Sequence, residues 1–122
     1  MTRYLISFND GAMDHITDEE LPDVGKAAHA VVQEAINAGV WVFGGGLQRQ
    51  RAGIVATDGL VTDGPYPETK EVIGGLVVVD VATREEALGW AAKWAAACRC
   101  AQEVREIMTD PELDAMLRQA GG

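Results

Sequence analysis

Several things are scarce in this sequence, and each scarcity closes off a class of protein. There are two cysteines in 122 residues, so no disulfide framework is available to hold the fold. Cys98 and Cys100 are spaced C-x-C with no second pair, short of the roughly four ligands of a structural zinc site. They read as two reduced thiols at a helix end, with a redox or metal role as the alternative. Basic residues are outnumbered, 10 against 19 acidic, for a net charge of −9. A surface that acidic repels phosphate backbones and anionic lipid, so neither nucleic acid nor membrane is an expected partner. Long apolar runs are missing too. The one ending at Val79 falls far short of the roughly 20 residues that span a bilayer. The opening "MTRYLISF" carries one Arg and a brief apolar run, not a signal-peptide core, and the expected location is cytoplasmic.

What is present suits one domain over residues 1–122, with its own core. Apolar residues make up 48% of the chain, which argues against disorder. "RYLISF" (3–8) alternates and reads as a strand. "NDGAMDHITDEELPDVG" reads as a loop with one short helical turn at its middle. In "DVGKAAHAVVQEAINAG" (23–39), Val24, Ala28, Val31, Val32, Ala35 and Ile36 recur at helical spacing. Asp23 is the expected N-cap and Gly39 the C-terminal glycine. "VWVFGGG" (40–46) follows as a strand. Asp58-Gly59 is a two-residue turn signal between "IVAT" and "LVT". "IGGLVVVDVA" (73–82) is the clearest strand, apolar enough to be central and covered on both faces. Thr83 and Glu86 form a capping box ahead of "REEALGWAAKWAAAC", whose apolar face is Ala87, Trp90, Ala91, Trp94 and Cys98. "AQEVREIM" (101–108) is a last strand. Residues 110–122 are a short tail helix, with Pro111 in its first turn.

Without the small hairpin and the tail, the order is βαββαβ, the ferredoxin-like split-βαβ motif in the α+β class. Both helices then cover one face of an antiparallel sheet. Alternation along the strands sets Tyr4, Ile6 and Phe8 against Leu5 and Ser7, and Trp41 and Phe43 against Val40 and Val42. Both faces are therefore partly apolar, and a homodimer packed sheet to sheet is expected.

With those elements placed, "TDGPYPETKEVIGGLVVVDV" resembles the signature of the DGPF proteins, a subgroup of the YCII-related family: Asp-Gly-Pro-Phe, then Glu-Thr-Lys-Glu, then a Gly-Gly-led strand. Tyr66 stands where Phe is usual. "RYLISFND", "AGVWVFGGGLQ", "ATREEALGWAAK" and "EVREI" extend the resemblance to about Ile107. It implies a ferredoxin-like domain that dimerises into an α+β barrel. It also implies a His–Asp pair in a cleft and, in one member of the wider group, removal of chloride from a hydroxylated aromatic ring. The association of DGPF members with alternative sigma factors implies a regulatory alternative.

Two histidines are available for such a pair. His29 lies roughly 60° round the helix from Val32, at the edge of the apolar stripe, where an imidazole can reach a cleft between helix and sheet. The resemblance pairs it with Asp80, at the end of "LVVVD", as the group that orients a base. Each has a plainer reading: a rim histidine, and a carboxylate bonded to nearby backbone or to the start of the next helix. His15 lies in an acidic loop and reads as solvated. Asp63, Tyr66, Lys70 and Arg105 are the candidate substrate-binding residues. Asp63, Gly64, Pro65 and Pro67 make a rigid loop that projects Tyr66. Lys70 is a cation for an anionic or phenolate-like group, or else part of a network pinning loop to sheet. Arg105 is a second such cation, or half of a dimer-interface salt bridge. "GGG" (44–46) lacks the Lys-Ser/Thr and the helix of a phosphate loop and reads as a bulge or close backbone approach. The expectation is a cofactor-free, metal-free dimer, either an acid–base enzyme acting on a small cyclic or aromatic molecule or a non-catalytic metabolite-binding or regulatory dimer.

Overall fold

A computed structural model describes residues 1–48, 52–64 and 72–121. The elements are β1 (Thr2–Asn9), α1 (Leu21–Asn37), β2 (Trp41–Gly46), β3 (Gly53–Val55), β4 (Val61–Asp63), β5 (Ile73–Val81), α2 (Arg84–Cys98), β6 (Glu103–Glu106) and α3 (Pro111–Ala120). Four strands form an antiparallel sheet in the order β2-β5-β1-β6, and β3 pairs with β4 in a separate hairpin. The result is an α+β fold.

The register fixes which side chains share a face. Tyr4 pairs with Val79 and Glu106, and Ile6 with Val77 and Val104. Paired residues point the same way and neighbours alternate. Tyr4, Ile6, Val79 and Val81 therefore face one side. There they meet Val31 and Ala35 of α1 and Ala87, Ala91, Trp94 and Cys98 of α2 in one apolar core. Both helices thus lie on the same face. Leu5, Ser7, Val78, Asp80 and Arg105 belong to the other face by the same alternation.

Local chemistry accounts for the ends of the elements. Past α1, Gly39 takes φ +75° and the Gly39 and Val40 N–H groups donate back to Ile36 and Ala35, the Schellman arrangement that a C-terminal glycine permits. Thr83 caps α2 through the Glu86 N–H, while the Glu86 carboxylate accepts from Ala82 rather than from Thr83. Asp110 caps α3 through the Leu113 N–H.

Three sequence expectations shift. The start of α1 is two residues earlier than Asp23, and its own cap residue makes no side-chain cap bond. The organising device is upstream. Thr17 and Glu20 exchange reciprocal bonds, Thr17 N–H to Glu20 Oε1 and Glu20 N–H to Thr17 Oγ1, each 3.3 Å. That is capping-box chemistry in "TDEE", one turn before the helix. The Asp58-Gly59 hairpin exists, but with a three-residue loop. Ala56 accepts from Gly59 and donates to Leu60, Gly59 sits at φ +89°, and Asp58 Oδ1 accepts from Leu60. Asp-Gly here closes a type I turn with a left-handed glycine instead of filling a two-residue turn. Finally, Trp41 and Phe43 do not share a face. A register shift between them pairs Trp41 with Val79 but Phe43 with Val78. The extra residue turns the Phe43 ring away from the core, 58% exposed.

Candidate functional site

Between α1 and the covered face of the sheet lies a cavity of about 430 Å³. Its helical wall is a single stripe: Leu21, Val24, Gly25, Ala28, His29 and Val32, spaced three and four apart on one side of the helix, with Leu21 and His29 exposed at its edge. Its floor is the sheet, with Ile6 and Phe8 from β1 and Val77 from β5. Trp41 and Trp94 close one end, their rings 6.2 Å apart and tilted by 41°. Two glycines make room for this aromatic lining. A Cβ on Gly75 would lie 2.5 Å from the Phe8 ring, and one on Gly44 would lie 2.7 Å from the Leu76 carbonyl oxygen and 3.0 Å from the Trp41 ring. Phe8 therefore packs on bare backbone. Gly44 bears out the reading of "GGG" as close backbone approach.

The rim of the cavity is tied across its two helices. Leu21 and Cys98 both line it, and the residues beside them, Glu20 and Arg99, form an ion pair between the start of α1 and the end of α2. Arg99 takes φ 58°, a left-handed conformation that costs a non-glycine residue about 1 kcal/mol or more. Hydrogen bonds from Thr17, followed by the Arg99 guanidinium, hold the Glu20 carboxyl below its usual range. Polar groups in the lining are few. His29 stands on the helical wall and Gln102 at the Cys98 end. Gln102 Nε2 donates to the Cys100 carbonyl at 3.4 Å. No hydrogen bond or ion pair joins His29 to another described residue. Cys98 also faces the cavity. Burial and then the nearby Cys100 push its thiol up, so it is protonated at neutral pH. Burial likewise pushes Cys100 up. Among the described residues no cluster of His, Cys, Asp or Glu could hold a metal ion.

Among the described residues, those expected to act together are not gathered in one place. Asp80 lies on the opposite face of the sheet, beside Arg3, and lines a second cavity of about 400 Å³ with Arg3, Asp110 and Arg118. Its Oδ1 is buried and has no hydrogen-bond partner. Within one chain it does not orient His29. The reason is the strand period: Val79 and Val81 point to the helices, so the residue between them points away. Arg105 pairs with Leu5 and shares that outer face. Asp63 ends β4, exposed, opposite Gly53. Tyr66 and Lys70 lie outside the described residues, as does the rigid-loop reading of Pro65 and Pro67. His15 is exposed.

Sequence reasoning found His29 at the edge of its stripe but not the chamber it borders. Phe8, Trp41 and Gln102 were missed as lining, and Gly75 as the bare backbone under Phe8. Their signal is cross-strand: an aromatic on one strand opposite glycine on the next, which needs the register to be seen.

The chain folds as a small α+β domain, an antiparallel four-stranded sheet with two helices on one face and an apolar chamber beneath the first helix. The family model described as the YCII-related domain matches residues 4–109. The chain belongs to the YCII-related family. No curated protein matches it closely enough to lend a function. No helix among the described residues is long and apolar enough to cross a membrane.

Proposed function

We propose that this YCII-family protein binds a small, flat, largely apolar molecule in the chamber under α1, with His29 and Gln102 reading its polar atoms. The observation that carries this is the chamber itself. Its volume falls in the usual range for small-molecule sites, roughly 300–1,000 Å³, and such sites are mostly apolar with a few placed polar groups. Phe8, Trp41 and Trp94 offer ring faces and edges to an aromatic ligand.

The protein is of the DGPF type, by its "DGPYPETKE" stretch, and its protomer is ferredoxin-like. The strand order and the one-sided helices support the latter. It works as a homodimer closing an α+β barrel. Phe43 on the outer face, and Leu113, Met116 and Leu117 on α3, are exposed in the single chain, apolar area that a second copy would cover. Two free thiols suit a reducing, cytoplasmic setting.

Binding without turnover is the better-supported form of this reading, because Asp80 faces away from His29. An acid–base enzyme remains the second form, supported by an imidazole on the wall of the chamber. Saturation-transfer NMR with phenol and 2-naphthol tests the first, with dissociation constants below about 1 mM expected. Absence of binding by either sinks the proposal. Incubation with ring-hydroxylated and ring-chlorinated compounds, in native and His29→Gln protein, tests the second. Turnover lost in His29→Gln with binding kept makes the protein an enzyme; no turnover in the native protein leaves a binding domain.

A further inference from the structure

The described glycines are not all glycine for the same reason. At Gly44 and Gly75 an added Cβ would collide with backbone or ring, so packing demands them. At Gly25 a Cβ would meet nothing within 4 Å, although the residue lines the chamber. Gly25 sits inside α1 as its fifth residue, where glycine is the poorest helix former apart from proline. Neither positive φ nor close packing asks for glycine there. What its missing side chain leaves is open space, on the same face as Leu21 one turn before and Ala28 and His29 one turn after.

We infer that Gly25 is the port of the chamber: a gap between the exposed Leu21 and His29 through which the ligand reaches the aromatic floor, and which sets the largest ring that enters. This rests on the chamber being the ligand site. The neighbouring wall fits a port. Ala28 is the smallest side chain after glycine, and Leu21 and His29 flank the gap as flexible or polar edges. A side chain restored at position 25 would strengthen the helix and narrow the gap in one step.

Gly89 supplies the control. It too lies inside a helix, α2, with nothing within 4 Å of an added Cβ, but it is exposed and lies outside the chamber lining. The experiment compares native protein with Gly25→Ala, Gly25→Leu and Gly89→Ala, using phenol as the small probe and 2-naphthol as the large one, with a thermal melt of each variant. All three variants are expected to melt at or above the native temperature. Gly25→Leu is expected to weaken 2-naphthol binding by about tenfold or more, the scale on which extra methylenes discriminate in apolar pockets. Gly25→Ala is expected to weaken 2-naphthol more than phenol, and Gly89→Ala neither. Native-strength 2-naphthol binding by a folded Gly25→Leu overturns the port while leaving the chamber as the site. Failure of the native protein to bind either probe overturns both. A Gly25→Ala melt well below native shows that packing demands this glycine after all and overturns the argument.

Discussion

The two faces of the sheet are made from the same strands and end in opposite conditions. On the helix side, alternate residues of β1 and β5 meet α1 and α2, and the core there is nearly closed, with Ile6, Val79 and Val81 fully buried. The space left over is a chamber walled by rings and a helical stripe. On the other side, Phe43 stands exposed, α3 contributes no buried residue, and Asp80 keeps a buried oxygen without a partner. Among the described residues, one face is satisfied within a single chain and the other keeps an unmet polar atom and exposed apolar groups. On the proposed reading, the difference assigns the ligand to the finished face and a second copy to the unfinished one.

The largest effect expected separates the faces by concentration. Trp94 is 3% exposed and packs against both Trp41 and Trp90. Trp94→Ala removes a buried ring and should cost about 3–5 kcal/mol, read in denaturant melts and the same at every protein concentration. Phe43→Ala on the outer face should leave the dilute, dissociated chain nearly as stable as native and shift the midpoint only where dimers form. A concentration-independent loss for Phe43→Ala would mean that the outer face is completed within the chain.

Asp80→Val sharpens the same contrast. An unmade bond at a buried polar atom costs about 1–3 kcal/mol, and a β-branched residue suits a central strand. The variant should therefore melt about 1 kcal/mol more stable in dilute solution, or a little more. A loss of stability instead would reveal a donor that reaches Asp80 in solution, from a ligand or from the second copy.

These outcomes depend on features of unequal visibility in the sequence. The core was legible because it obeys local periods. The α1 stripe, the Thr83–Glu86 cap, the Gly39 terminus and the alternation of β1 all follow from spacing along the chain. The side of the sheet that Phe43 occupies was not legible, because it depends on a bulge that only pairing with β5 creates. The separation of His29 from Asp80 has a similar origin. Each residue stands where its own element suggested, a rim position on a helix and the end of a strand, but their relation depends on which strand face the helix covers. Gln102 joined the chamber only through the turn after α2, where Arg99 takes a left-handed conformation that nothing in its residue type announces.

The smallest effect is in alkaline solution and belongs to the covered face. Burial, then the Glu106 carboxylate, raise the Tyr4 phenol above its usual 10.0. Burial, then Cys100, raise the Cys98 thiol above 9.0. Each group keeps its proton longer in the folded chain than in the unfolded one. The unfolded state then binds fewer protons, so stability falls as pH rises. The contribution is fully present below pH 9 and lost progressively above it, through the folded values of the thiol and then the phenol. Cys98→Ala should flatten the first part of that decline in a series of melts from pH 8 to pH 11, a range set by the ordinary values of 9.0 and 10.0 for the two groups. An unchanged slope would assign the decline elsewhere.

The most direct test of the chamber as the ligand site uses the protein's own rings. Trp41, Trp94 and His29 line it, whereas Trp90 and His15 do not. In a titration of isotope-labelled protein with 2-naphthol, the indole N–H signals of Trp41 and Trp94 and the imidazole signals of His29 should move together and saturate at one dissociation constant. Trp90 should respond weakly, through its neighbour Trp94, and His15 not at all. Saturable shifts at His15 with Trp41, Trp94 and His29 unmoved would contradict the account and put the ligand outside the chamber.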